Sequence, residues 1–176
     1  RTAVASFSSC FLSTKSFYVE NLGCAKNQVD AEVMISALRE RGWSRTEDAA
    51  SASTIIINSC GFIEPAKQES IDVTLGALRD YPEARVVMSG CLSQRYAEEL
   101  AAEIPELAGL FGNRAPERIP ELLQQIDVTP QDTPHLLVPQ PTTDRPLRPE
   151  LLSLPGSAYV KVSEGCDNRC SFCAIP

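Results

Sequence analysis

Three cysteines near the end of this sequence, Cys166, Cys170 and Cys173 in the run EGCDNRCSFCAIP, bring three thiols onto one short loop. Spacings of four and three residues suit a cluster with several metal corners, one of which would lack a protein ligand. Three more cysteines, Cys24, Cys60 and Cys91, lie 36 and 31 residues apart in the runs LGC, NSCG and SGC. Such gaps are too long for a local motif and close to one strand-plus-helix unit each. A structural zinc would want four ligands, usually in close pairs. Neither set supplies a fourth, and the only histidine, His135, sits in a Pro-rich stretch where it reads as a solvated side chain. Three unrelated buried cysteines are the plain alternative for the first set, because free cysteine is a common core residue.

Those thiols need elements to hold them. FYVENL at 17–22, TIIIN at 54–58, RVVMS at 85–89 and GLFGN at 109–113 read as strands. Helical spacing runs over 30–41, from Pro65 to about Asp80, over 93–104 with Ser93 as a candidate N-cap, and from Pro116 through PERIPELLQQI. Strand and helix alternate, so the expected fold class is α/β: a parallel sheet flanked by helices. In such a sheet every strand points the same way. Cys24, Cys60 and Cys91 would then emerge together on the carboxyl edge, where ligands bind in these folds. The adjacent Gly23, Gly61 and Gly90 would relieve crowding around a bulky inorganic group. Asn27 and Asp30 read as caps for the helix beginning there, or as lining of the cluster mouth.

The 176 residues are 43% hydrophobic, enough for one domain with a core plus tails. The formal charge of −7 leaves no broad basic face for gripping nucleic acid through phosphates. Seven cysteines is an odd count, and their placement after strands favours metal binding in a reducing compartment over a disulfide framework. No apolar run approaches the ~20 residues of a membrane span. Residues 1–16 are Ser-rich and basic and read as a transit-like or upstream tail. Cys10, within it, is given no role. Residues 17–127 read as the α/β domain and 128–156 as a linker, because Pro130, Pro134, Pro139, Pro141, Pro146, Pro149 and Pro155 fall there. SAYVKVSEG at 157–165 then reads as a new strand leading into the last cysteine loop, so 157–176 would open a second domain.

The Cys166/Cys170/Cys173 frame, with Phe172 before its last cysteine, resembles the radical S-adenosylmethionine superfamily. ENLGCAKNQVDAEVM, NSCGFIEPAKQES and SGCLSQRY resemble its methylthiotransferase family, in the branch that modifies an aspartate of small-subunit ribosomal protein S twelve. The resemblance covers about residues 17–176. It implies two 4Fe–4S clusters, an auxiliary one on Cys24, Cys60 and Cys91 and one on Cys166, Cys170 and Cys173 that binds S-adenosyl-L-methionine. Phe172 would shield the latter from water. It implies radical transfer of a methylthio group to the aspartate β-carbon, with no acid, base or nucleophile of this chain as a catalytic residue. It further implies an electron donor such as flavodoxin or ferredoxin, a monomer without membrane contact, and a cytoplasmic site, or an organellar one if residues 1–16 are a transit segment. A full (β/α)₈ barrel runs to about 250 residues. The sequence is therefore expected to be the N-terminal part of a longer enzyme, inactive by itself. Two other readings stand beside this one: a tRNA adenosine methylthiotransferase, and a non-catalytic α/β module with structural cysteines.

Overall fold

A computed structural model describes residues 15–129, 131–142, 146–163 and 165–173. Cys10 lies outside them. The sheet begins with β1 (Ser16–Asn21), followed by α1 (Ala25–Glu40), β2 (Ser44–Arg45) and β3 (Thr54–Ser59). Then come α2 (Glu64–Asp80), β4 (Arg85–Gly90), α3 (Cys91–Glu103), β5 (Gly109–Gly112), α4 (Ile119–Val128) and β6 (His135–Leu137). The six strands are all parallel, in the order β2-β1-β3-β4-β5-β6. The chain winds outward one way from β1 to β2 and the other way from β3 onward. The switch point of the topology therefore lies between β1 and β3.

The α/β reading holds, and side-chain alternation explains the two helical layers. β3 is buried along its whole length. Ile56 and Val87 face one side with Phe17, Met34, Ile35, Leu38, Phe111, Ile119 and Leu122, under α1 and α4. Ile55, Ile57, Val86 and Met88 face the other with Leu92, Leu100, Ile104 and Leu110, under α2 and α3. A period of two along each strand puts neighbours on opposite faces, and helices on both sides then demand apolar residues throughout.

Several boundaries differ from expectation. α1 starts at Ala25, five residues early, with Cys24 as its N-cap residue and no side-chain cap. Asn27 and Asp30 therefore lie inside the helix and cap nothing. α3 starts at Cys91 with Gly90 before it, so Ser93 is a buried helical residue and not the cap. The helix expected from Pro116 opens with a short 3₁₀ turn over Pro116–Arg118. The sheet also reaches past Asp127 into the expected linker, where His135 pairs alongside Gly109 in β6. His135 is thus a half-buried strand residue, its Nε2 2.8 Å from the Thr129 carbonyl. The strand expected over 157–165 does not form among the described residues of that stretch. No helix of the described residues is long and apolar enough to cross a membrane.

At the amino edge of the sheet, the buried Trp43 lies under Lys15 and Arg85, 5.3 and 5.9 Å from its ring centre. Both cations also reach Asp127 of α4. Partial burial pushes the Asp127 carboxyl up, but Arg85 and Lys15 outweigh it and hold it below the usual carboxylate range. A depressed carboxyl stabilises the fold above its unfolded pKa and stops doing so as pH falls through the folded value. Asp127→Asn should therefore cost about 1 kcal/mol at pH 7. In urea titrations that difference should shrink as pH falls below about 4.

Candidate metal centre

β1, β3 and β4 are neighbours, and their register aligns Asn21 with Asn58, Asn58 with Ser89, and Ser59 with Gly90. Cys60 and Cys91 each follow the last residue of their strand, and Cys24 lies three residues past Asn21. All three leave the same carboxyl edge, with Cys24 and Cys60 flanking the β1/β3 switch point. Asn27 joins two of them, Cys24 and Cys91. Its Oδ1 lies 3.5 Å from Cys24 Sγ and 3.8 Å from Cys91 Sγ. The two sulfurs are therefore no farther apart than the sum of those distances, 7.3 Å.

Asn27 is only 1% exposed and is held from below. Its Nδ2 donates to the Ser59 carbonyl at 2.9 Å and lies 3.4 Å from Asn58 Oδ1. Asn58 in turn donates to the Asn27 carbonyl at 2.7 Å and to Asn21 Oδ1 at 2.8 Å. Ser89 Oγ donates to Asn58 Oδ1 at 3.4 Å, and Ser59 Oγ donates to the Ser89 carbonyl. Buried amides without partners would cost several kcal/mol, so this closed network fixes the floor of the site. From the far side Asn113 Nδ2 donates to Cys91 Sγ at 3.3 Å.

The glycines relieve crowding within the protein itself. A Cβ at Gly23 would fall 2.1 Å from Asn27 Cγ, and one at Gly61 would lie 3.0 Å from the Cys91 carbonyl oxygen. At Gly90 it would lie 2.4 Å from the Ser59 carbonyl oxygen, and φ there is +98°. These residues let the protein close on itself around the thiols; the crowding they relieve is protein against protein.

Electrostatics at the edge are mixed. The N-terminal ends of α1 and α3 start at Cys24 and Cys91, and a helix N-terminus favours a charged sulfur. Against that, burial pushes the Cys91 thiol up. Lys26 opposes the rise, while Cys60, Asp30 and Cys24 add to it. Among the described residues, no three His, Cys, Asp or Glu side chains converge tightly enough to share a single metal ion. A tetrahedral zinc at ~2.3 Å from each sulfur would hold those sulfurs roughly 3.8 Å apart. A four-iron cube binds each thiolate at a different corner and asks for wider spacing, which the 7.3 Å ceiling between the Cys24 and Cys91 sulfurs accommodates.

The second set is less enclosed. Cys166 and Cys170 are exposed and Cys173 is half-buried, its N–H bonded to the Cys170 carbonyl at 3.0 Å. Phe172 is 91% exposed, so it shields nothing among the described residues. Glu64 and Lys67 form an ion pair on the first turn of α2, and Lys67 also lies 5.6 Å from the Tyr96 ring centre. Asn113, Asn21 and Ser89 carried no sequence signal. Asn27 carried one, its place three residues after Cys24, where a side chain in the first helical turn can reach back to the N-cap.

A family model described as "Uncharacterized protein family UPF0004" matches residues 16–112. Among curated proteins, the ribosomal protein uS12 methylthiotransferase RimO of Treponema denticola is 45% identical over 161 residues, 88% of this chain and 34% of that protein. The protein of the same name from Myxococcus xanthus is 42% identical over 92% of this chain and 34% of its own length. That from Symbiobacterium thermophilum is 43% identical over 89% and 33%. The chain thus spans about a third of the length of these relatives.

Gly90→Ala should destabilise the chain by roughly 1–3 kcal/mol or more, because neither the backbone angle nor the Ser59 carbonyl can give way. Gly76→Ala, inside α2 with nothing within 4 Å of the new methyl, should stabilise by about 0.5–1 kcal/mol. Urea midpoints of the two variants, measured side by side, check both signs.

Proposed function

The chain belongs to the UPF0004 family, and on that premise we propose that it is the cluster-bearing N-terminal part of a methylthiotransferase acting on small-subunit ribosomal protein uS12. The observation that supports this reading is that Cys24, Cys60 and Cys91 follow the ends of three adjacent parallel strands on one edge, with the Cys24 and Cys91 sulfurs on one buried asparagine. These three residues would hold one 4Fe–4S cluster. Cys166, Cys170 and Cys173 would hold another, together with S-adenosyl-L-methionine. When bound, the two clusters supply one-electron chemistry and a site for the sulfur to be transferred, which no side chain can supply alone.

The chain's own residues have definable tasks. Three thiols give up their protons to become ligands. Asn113 donates to Cys91 Sγ, and such a bond strengthens when the sulfur carries charge. The Asn27–Asn58 network keeps the strand ends in register and closes the floor of the site against water. Phe62 and Ile63, just past Cys60 and each 53% exposed, form an apolar lip. The uS12 substrate comes from the names of the relatives, and a flavodoxin or ferredoxin would deliver the electrons. The acidic charge of the chain suits a basic ribosomal protein better than RNA.

Anaerobic reconstitution of the 1–176 chain with iron and sulfide should give about eight irons per chain. Cys24→Ala, Cys60→Ala and Cys91→Ala should each leave about four, those of the second set. Stoichiometric zinc, or iron unchanged by all three substitutions, would overturn the reading. On the full-length enzyme, mass spectrometry of uS12 and of tRNA separates the ribosomal-protein activity from the tRNA one.

A further inference from the structure

Two acidic side chains of α1 are buried where charge is expensive: Glu32 is 0% and Asp30 2% exposed. An uncompensated charge at such depth costs several kcal/mol. Among the described residues, Lys26 in the same helix lies 3.8 Å from Asp30, and further compensation comes from more than 100 residues away. Arg148 pairs with Glu32, whose other oxygen accepts from the Leu152 N–H at 2.9 Å. Lys161 pairs with Asp30. Gln28 donates to Ser153 Oγ at 2.8 Å, and Glu150 pairs with both Arg39 and Arg45.

The segment expected to be a free linker is therefore docked along α1, with Leu152 packed against the core. Its shape is defined too. Leu154-Pro155-Gly156-Ser157 turns with a Ser157 N–H to Leu154 carbonyl bond of 3.0 Å and φ +82° at Gly156. Proline second and glycine third is the preference of a type II turn. Arg148 spans that turn, donating to the Tyr159 carbonyl at 2.9 Å while it holds Glu32.

We propose that Asp30 and Glu32 are a receptor for the 146–163 segment, and that Lys161 and Arg148 are positioning residues that set where the Cys166/Cys170/Cys173 loop stands relative to the Cys24/Cys60/Cys91 site. The purpose of that positioning rests on the functional reading above, since two clusters serving one reaction must stand within reach of one substrate. The contact itself does not. Asp30 lies six residues along α1 from Cys24, about 9 Å of helix. Lys161 precedes Cys166 by five residues, a stretch that spans at most ~18 Å. One ion pair thus tethers the start of one cysteine set to the helix that carries the first residue of the other.

The test uses the metal-free 1–176 chain, so it does not depend on any cluster. A flexible bismaleimide is added, and thiol-to-thiol links between the two cysteine sets are quantified by mass spectrometry. Lys161→Glu should lower those links at least five-fold relative to links within the first set. Asp30→Lys combined with Lys161→Glu should restore them to within two-fold of the original chain. The exchange rate of the Leu152 amide, read in parallel, should rise at least ten-fold in Glu32→Gln. Lys161→Ala, which adds no repulsion, serves if Lys161→Glu fails to fold, and should lower the links at least three-fold. Unchanged links in both Lys161 variants, or loss without recovery in the charge-reversed pair, would overturn the proposal. Failure of the functional reading would look different: normal crosslinking and rescue, with no iron taken up on reconstitution.

Discussion

Everything at the functional edge depends on the contact between Asn27 and Asn58. A parallel sheet brings strand ends to one side but does not by itself fix where the following residues go. At the β1/β3 switch point the chain leaves one strand for a helix below the sheet and the next for a helix above it. The gap between these departures exposes backbone groups that the ladder no longer pairs. Asn27 and Asn58 fill it, each bonded to backbone of the other's segment. The same asparagine then faces two thiols with its remaining oxygen. Fold and site share this pair, so a substitution there disturbs both.

The second dependence is that of α1 on what covers it. Its inner face packs on Phe17, Ile56 and Val87, as an amphipathic helix should. Its two flanks carry Asp30 and Glu32, about 200° apart around the helix, which a solvent-facing helix would leave in water. They are buried because the segment after the sheet lies over them and brings cations along. A helix buried on both sides by unlike neighbours has no single apolar stripe.

The readable parts of the sequence were those where one local pattern meets one physical demand. TIIIN and RVVMS have short apolar β-branched runs, and both became central strands buried on two faces. Gly42 past the end of α1 has φ +82°, the left-handed geometry that stops a helix. The parts that failed were those set by distant partners. β6 is three residues, HLL, whose strand character comes only from the free edge of β5. The proline density from 128 onward reads as a flexible linker, because proline forbids helix and central strand. It does not forbid an extended strap held by side chains, and Arg148, Glu150 and Lys161 cannot be matched to partners more than 100 residues away by spacing alone. The cysteines were legible as a set because the sheet makes three strand ends equivalent, whereas Asn113, which donates to one of them, follows a strand with no marking of its own.

Burial and charge pull in opposite directions at this edge, and the balance bears on when metal can enter. Enclosure pushes the Cys91 thiol up, and the neighbouring Cys60, Asp30 and Cys24 add to the rise against Lys26. Without metal the Cys91 sulfur is therefore best accommodated neutral. Were a metal bound as proposed, it would displace that proton, and the α1 and α3 N-termini, Lys26 and the Asn113 amide would all favour charged sulfurs. The asparagine floor is neutral in both states, which lets the strand ends keep their register while the charge above them changes.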